Sequence, residues 1–247
     1  MLSRVACVLG AAIAVAGVLP AYAIDGNPLR GVVRAINEAA ISTDLATKII
    51  SLPFRDGDSF KKDDVLVEFD CERLNAEVKG AEADLRGHRA AWENSARLYQ
   101  LKAAGAHDVS IAAAAHDKSA AVVEGLRARV KQCKIIAPFD GRVAETAVRL
   151  HETPVTSQPL IKIVDDRQLE IDMLLPAASL KFIQPGTPFN ITLDETGQQV
   201  RGKMIRIGAA IDVVSQTFKA TGVPESFAEA VLPGMSGTVS FSPSAQK

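Results

Sequence analysis

The chain has 247 residues, 47% of them hydrophobic and 23% charged, a composition that suits globular modules and excludes a low-complexity polymer. Its 28 basic and 29 acidic residues leave a net charge of −1, so no global positive field points to nucleic acid as a partner.

The first element is a leader. Arg4 precedes an apolar run from Val5 to Leu19, and Ala21-Tyr22-Ala23 then supplies small residues at a cleavage position. The run is short for a bilayer span and ends on Pro20. Residues 1–23 therefore read as a cleaved secretory signal, with Ile24 opening the mature chain, and nothing later resembles a transmembrane helix. Cleavage removes Arg4 and Cys7, leaving 27 basic against 29 acidic residues. Two cysteines remain, Cys71 and Cys133, in a compartment that permits disulfides.

Before Cys71, residues 31–70 carry short β-branched runs broken by the turn stretches "RDGD" and "KKDD". From Cys71 to Cys133 there is no proline, and alanine, glutamate, lysine, arginine and leucine dominate, all strong helix formers. Cys71, Leu74, Val78, Ala81, Leu85, His88, Trp92, Ser95 and Tyr99 follow one another at alternating steps of three and four. So do Val109, Ala112, His116, Ser119, Val123, Leu126, Val130 and Cys133. Such stripes predict a supercoiled antiparallel hairpin. The break falls at "LKAAGAHD", where Gly105 caps a second helix and Asp108 places a negative charge in its first turn.

Folding the stripes together about a turn at 102–104 puts Leu74 against Val130, Val78 against Leu126, Ala81 against Val123 and Trp92 against Ala112. The same register sets His88 opposite His116 and Cys71 opposite Cys133, which predicts a disulfide stapling the base of a rod ~45 Å long. The facing histidines read as a polar layer rather than a metal site. A structural zinc needs four protein ligands, and no histidine lies near the cysteine end.

After the hairpin, residues 134–165 repeat the earlier theme. "FRDGDSFKKDDVLVEFD" and "VRLHETPVTSQPLIKIVD" overlay with one residue inserted at Pro154, suggesting a β-sandwich of two similar halves. Residues 166–243 hold further β-patterned stretches, and 244–247 form a polar tail. Signals for catalysis are weak throughout. His88, His107, His116 and His151 are scattered, no serine sits in a G-x-S-x-G setting, and carboxylates occupy turns and helix faces. We therefore expect no catalytic residues, no metal and no cofactor.

"IIAPFDGRV" together with "DGDSFKKDDVLVEFD" resembles the split biotinyl/lipoyl-like module of periplasmic adaptor proteins, also called membrane fusion or HlyD-family proteins. "VDDRQLEIDMLLPAASLKFIQPGTPFNITLD", "GKMIRIGAAID" and "LPGMSGTVSF" resemble the β-barrel of that family. The resemblance runs from Gly31 to Phe241 and implies an α+β multi-module chain. Its parts are a split sandwich (31–70 and 134–165), an inserted coiled-coil hairpin (71–133, tip at 102–105) and a small β-barrel (166–243). The family commonly carries glycine where this chain has Asp63 or Asp64. The sequence stops six residues after Phe241, so we expect it to lack the membrane-proximal domain that some members carry.

The resemblance implies a non-catalytic adaptor of an efflux complex, of resistance-nodulation-division (RND) type. Its partners would be an inner-membrane transporter, a TolC-like outer-membrane channel and further copies of itself, and its place the periplasm. Arg97, Leu101, Lys102 and Gly105 at the tip are the candidates for docking to the channel. Leu74, Val78, Leu85, Trp92, Val123, Leu126 and Val130 are the candidates for the hairpin seam. Two alternatives stand beside this reading: an adaptor of an ABC-type exporter, or a reduced accessory adaptor. A lipoyl or biotinyl carrier domain is a remote third, because the helical insertion replaces the turn that would present the modified lysine.

Overall fold

The N-terminal strand β1 (Leu29–Ala35) places Val33 and Ala35 in an apolar core, while its alternate residues face outward. The computed structural model describes residues 28–226 and 231–241, so the expected signal, 1–23, and the polar tail, 244–247, lie outside the described residues. The chain next forms β2 (Glu38–Ser42), β3 (Ile49–Ser51), β4 (Ser59–Phe60) and β5 (Val65–Phe69). Helices α1 (Glu72–Gln100) and α2 (Ala106–Lys131) follow, and then β6 (Lys134–Ile136), β7 (Gly141–Thr146) and β8 (Pro159–Val164). The last strands are β9 (Leu169–Pro176), β10 (Pro188–Leu193), β11 (Gln199–Asp212), β12 (Thr217–Pro224) and β13 (Ser236–Phe241).

Strands β2, β8, β7 and β4 form one sheet of the sandwich, and β3, β5 and β6 form the other. Ile49, Leu66, Val67, Phe69, Leu160, Ile161 and Ile163 fill the space between them. Strand pairs alternate buried and exposed positions, as a half-buried antiparallel sheet requires. The two halves are alike turn by turn. Gly57, Asp63, His151 and Ser157 each hold the left-handed conformation at the third position of a four-residue turn, with φ of 87°, 71°, 71° and 66°. In three of these turns the first residue's N–H donates to the carboxylate at the fourth. The pairs are Arg55 to Asp58 (2.8 Å), Lys61 to Asp64 (2.8 Å) and Arg149 to Glu152 (2.9 Å). Asp63 thus takes the strained position that glycine fills most cheaply, a conformation aspartate tolerates better than most residues.

This geometry corrects the sequence overlay. One constant offset carries Gly57 onto His151, Asp63 onto Ser157, Leu66 onto Leu160 and Phe69 onto Ile163, so no residue is inserted at Pro154. Turn conformation and buried positions set the alignment, and they outweigh the residue types that had suggested a gap.

Strands β1, β13, β10, β11, β12 and β9 close into a six-stranded barrel. Strand β1 pairs with β13 through Leu29–Val239 and with β9 through Gly31–Met173, so it belongs to the barrel. The domain limits expected from sequence, which gave 31–70 to the sandwich and only 166–243 to the barrel, are corrected here. A closed barrel leaves no unpaired edge, and β1 fills the gap between β9 and β13. Phe189 is buried in the barrel core, where Gly202 and Gly222, having no side chains, allow its ring a close approach. A Cβ at either glycine would fall 2.4 Å or 2.3 Å from the phenyl ring.

Sandwich and barrel are joined by two crossing segments. Ile36 N donates to Gln168 O (2.8 Å) and Asp165 N to Asn37 O (2.9 Å). Asp165, 2% exposed, accepts from Asn37 Nδ2 (3.3 Å) and from Arg167 N (3.1 Å), while the Arg167 guanidinium reaches Asp140 at 3.0 Å.

Candidate docking surfaces

The two helices form an antiparallel pair that projects from the sandwich. Arg127 and Glu82 join them at 2.6 Å, and the Trp92 and His116 rings stack at 5.1 Å with an interplanar angle of 34°. The 29 residues of α1 span about 44 Å at the usual helical rise. Leu74 and Val123 are buried, while Val78, Leu85, Trp92, Leu126 and Val130 are half-buried. Residues off that stripe are mostly exposed.

The register differs from the one drawn by folding the two stripes together about 102–104. Trp92 meets His116 instead of Ala112, and His88 is exposed beside Ala115, Lys118 and Ser119 rather than facing His116. Cys71 is the N-cap of α1 and Cys133 lies in the turn after α2. Neither occupies a helical position, and the middle of the pair lies about one turn away from the register of the folded stripes.

At the base, Cys71 and Cys133 are joined by a disulfide, with Cα atoms 6.2 Å apart. Both cysteines and Leu74 pack into the sandwich core with Phe69 and Ile49, and Phe69 N donates to Cys133 O at 2.9 Å. The bond therefore ties both helices to the β-module at one point. At the far end, α1 closes with Leu101 N donating to Arg97 O (3.1 Å) and Lys102 N to Tyr99 O (2.9 Å). Lys102 takes φ of 58°, which reverses the chain. Gly105 is the N-cap of α2, and its N–H donates to Asp108 Oδ2 at 2.9 Å.

The tip is apolar as well as basic. Leu101 is 70% exposed, and Leu98, Tyr99 and Ile111 are exposed beside it, with Arg97 and Lys102 nearby. Reasoning from sequence named Arg97, Leu101, Lys102 and Gly105 but missed Leu98 and Ile111. Both stand off the helical stripes, and an apolar residue off the seam near a turn was the available signal.

A second projection leaves the barrel. In the turn between β11 and β12, Val213 and Val214 are 88% and 91% exposed. Asp212 Oδ1 holds that turn by accepting from the N–H groups of Val214 (3.0 Å) and Ser215 (2.8 Å) and from the Ser215 hydroxyl (3.0 Å). These hydrogen bonds, led by the one from Ser215 N–H, keep the Asp212 carboxyl below its ordinary pKa.

Among the described residues no three His, Cys, Asp or Glu side chains converge as a metal site, and no helix is long and apolar enough to cross a membrane.

No protein-family model matches the chain. It is 26% identical over 183 residues to an uncharacterized protein of Haemophilus influenzae, covering 74% of this chain and 48% of that protein. It is 25% identical over 205 residues to the nodulation protein NolF of Rhizobium meliloti, covering 76% and 56%. The chain thus spans about half the length of these curated relatives. Among solved structures, the membrane fusion protein Spr0693 of Streptococcus pneumoniae superposes with a TM-score of 0.74 at 16% identity, covering 88% of this chain and 99% of that one. A MacA–MexA chimera carrying the Pseudomonas aeruginosa MexA α-hairpin superposes with a TM-score of 0.73 at 22% identity, covering 85% and 78%.

The chain has the fold of the membrane fusion, or periplasmic adaptor, proteins. The resemblance drawn from "IIAPFDGRV" and the barrel stretches therefore holds over both β-modules.

Proposed function

We propose that the protein is a non-catalytic periplasmic adaptor of an RND-type efflux complex, bridging an inner-membrane transporter and a TolC-like outer-membrane channel. The observation that carries this reading is the two-helix rod, about 44 Å long and anchored in a β-sandwich, which suits spanning a distance and encloses no reaction site. Its tip displays Leu98, Leu101 and Ile111 beside Arg97 and Lys102, an apolar patch with basic neighbours suited to helical ends of a channel. The β-modules face the transporter, and several copies surround the conduit, since one thin rod encloses nothing. Adaptors of RND pumps are favoured over those of ABC exporters by the leader, which reads as cleaved rather than as a retained anchor.

A photoreactive residue at position 102 in cells tests the reading. Crosslinks to an outer-membrane channel, with co-purification of an RND transporter, are the expected result. Crosslinking to no outer-membrane protein removes the bridging role. Co-purification with an ABC exporter would reassign the inner partner.

A further inference from the structure

The sandwich carries a cleft that the bridging role does not use. Its volume is about 460 Å³, and it is lined by Leu52, Phe54, Arg55 and Asp56 from the first half and by Thr146, Val148, Arg149 and Leu150 from the second. The offset that superposes the turns also carries Leu52 onto Thr146, Phe54 onto Val148, Arg55 onto Arg149 and Asp56 onto Leu150. Every lining residue thus has its counterpart across the cleft, which lies on the pseudo-twofold axis of the module.

Two observations give the cleft a chemical character. First, the symmetry brings two arginines to one cleft, and among the described residues neither guanidinium forms an ion pair or a side-chain hydrogen bond. Arg55 and Arg149 donate only through their backbone N–H groups. The carboxylates that accept those bonds, Asp58 and Glu152, are engaged in the turns, and Asp56 is the only acid of the lining.

Second, much of the remaining wall is apolar, formed by Phe54, Val148, Leu52 and Leu150. Two cations beside an apolar wall complement a negatively charged head on an apolar body.

We propose that this cleft binds an anionic amphiphile. Arg55 and Arg149 hold its oxyanion head, and the apolar part lies on Phe54, Val148 and Leu150. The site belongs to the β-module itself and requires neither transporter nor channel.

Isothermal titration of the purified mature chain with decanoate, acetate and 1-decanol tests the proposal without reference to bridging. Decanoate is expected to bind at least about tenfold more tightly than either fragment, because charge and apolar area both contribute. The Arg55→Gln/Arg149→Gln variant, folded by circular dichroism, is expected to lose about tenfold or more of that affinity. No binding of decanoate overturns the proposal, as does equal binding of acetate or 1-decanol. Undiminished affinity in the double arginine variant also overturns it.

Discussion

The barrel and the helical hairpin put their apolar residues to different uses. In the barrel, Phe189, Ile191, Met204, Phe218 and Val239 converge on one closed centre, and six paired strands satisfy their own backbone. In the hairpin, Leu74 and Val123 are the buried hydrophobic residues of the two helices, and most others keep part of their surface in water. A two-helix layer has only one inner face, so it cannot surround a side chain. Its rigidity depends on backbone hydrogen bonds along each helix and on the covalent tie at its base. The barrel is therefore the thermodynamic anchor, while the hairpin is a lever whose stiffness is set at the sandwich.

That contrast is sharpest for a core deletion. Phe189→Ala is expected to cost about 3–5 kcal/mol, because the space made by Gly202 and Gly222 has no other occupant. Thermal unfolding measures the loss, and a change below about 1 kcal/mol would mean the barrel collapses around the void. Reducing the base tie has the next largest effect. Cys71→Ser/Cys133→Ser is expected to cost about 2–4 kcal/mol. Hydrogen exchange should rise at the ends of α1 and α2 nearest the sandwich and stay unchanged in the barrel. Peptide mapping of the native protein without reductant should recover the Cys71–Cys133 link.

At the tip the comparison reverses, since stability and function separate. Leu101→Asp is expected to change stability by less than about 0.5 kcal/mol, because Leu101 is 70% exposed. If the proposed bridging role holds, the same change should abolish crosslinking from position 102 to the proposed outer-membrane channel. Loss of the fold in that variant would show that the tip residue packs after all.

The smallest effect lies at the joint between sandwich and barrel. The Lys62 N–H donates to Asp140 Oδ1 at 2.6 Å, and with Arg167 this holds the Asp140 carboxyl below its ordinary value of 3.8. A folded-state pKa below the unfolded one stabilises the protein above pH 3.8, and that contribution is lost as pH falls through the lower folded value. Asp140→Asn should therefore lower the melting temperature slightly at pH 6 and not at pH 2. An equal effect at both values would assign the loss to packing.

Particular elements show why parts of this molecule could be read early. The hairpin was legible because helical periodicity is local: Leu74, Val78, Leu85 and Trp92 announce a face regardless of what packs on it. The turns at Gly57 and Asp63 were legible for the same reason. The membership of β1 was not, because "LRGVVRA" alternates identically whether its inner face meets a sandwich or a barrel. The stacking of His116 on Trp92 was missed because two regular stripes match nearly as well when one helix slides by a turn, and local periodicity does not choose between those registers. The cleft between Arg55 and Arg149 was invisible, since it exists only where two distant turns meet about an axis.

By itself, then, the sequence determined the helices, the turns and the order of modules, each specified by residues within a few positions of one another. Only the tertiary structure decided which sheet receives β1, how α1 slides against α2 and which side chains share a cleft. Those outcomes depend on closure and packing between residues far apart in the chain, where local pattern carries no record of the partner.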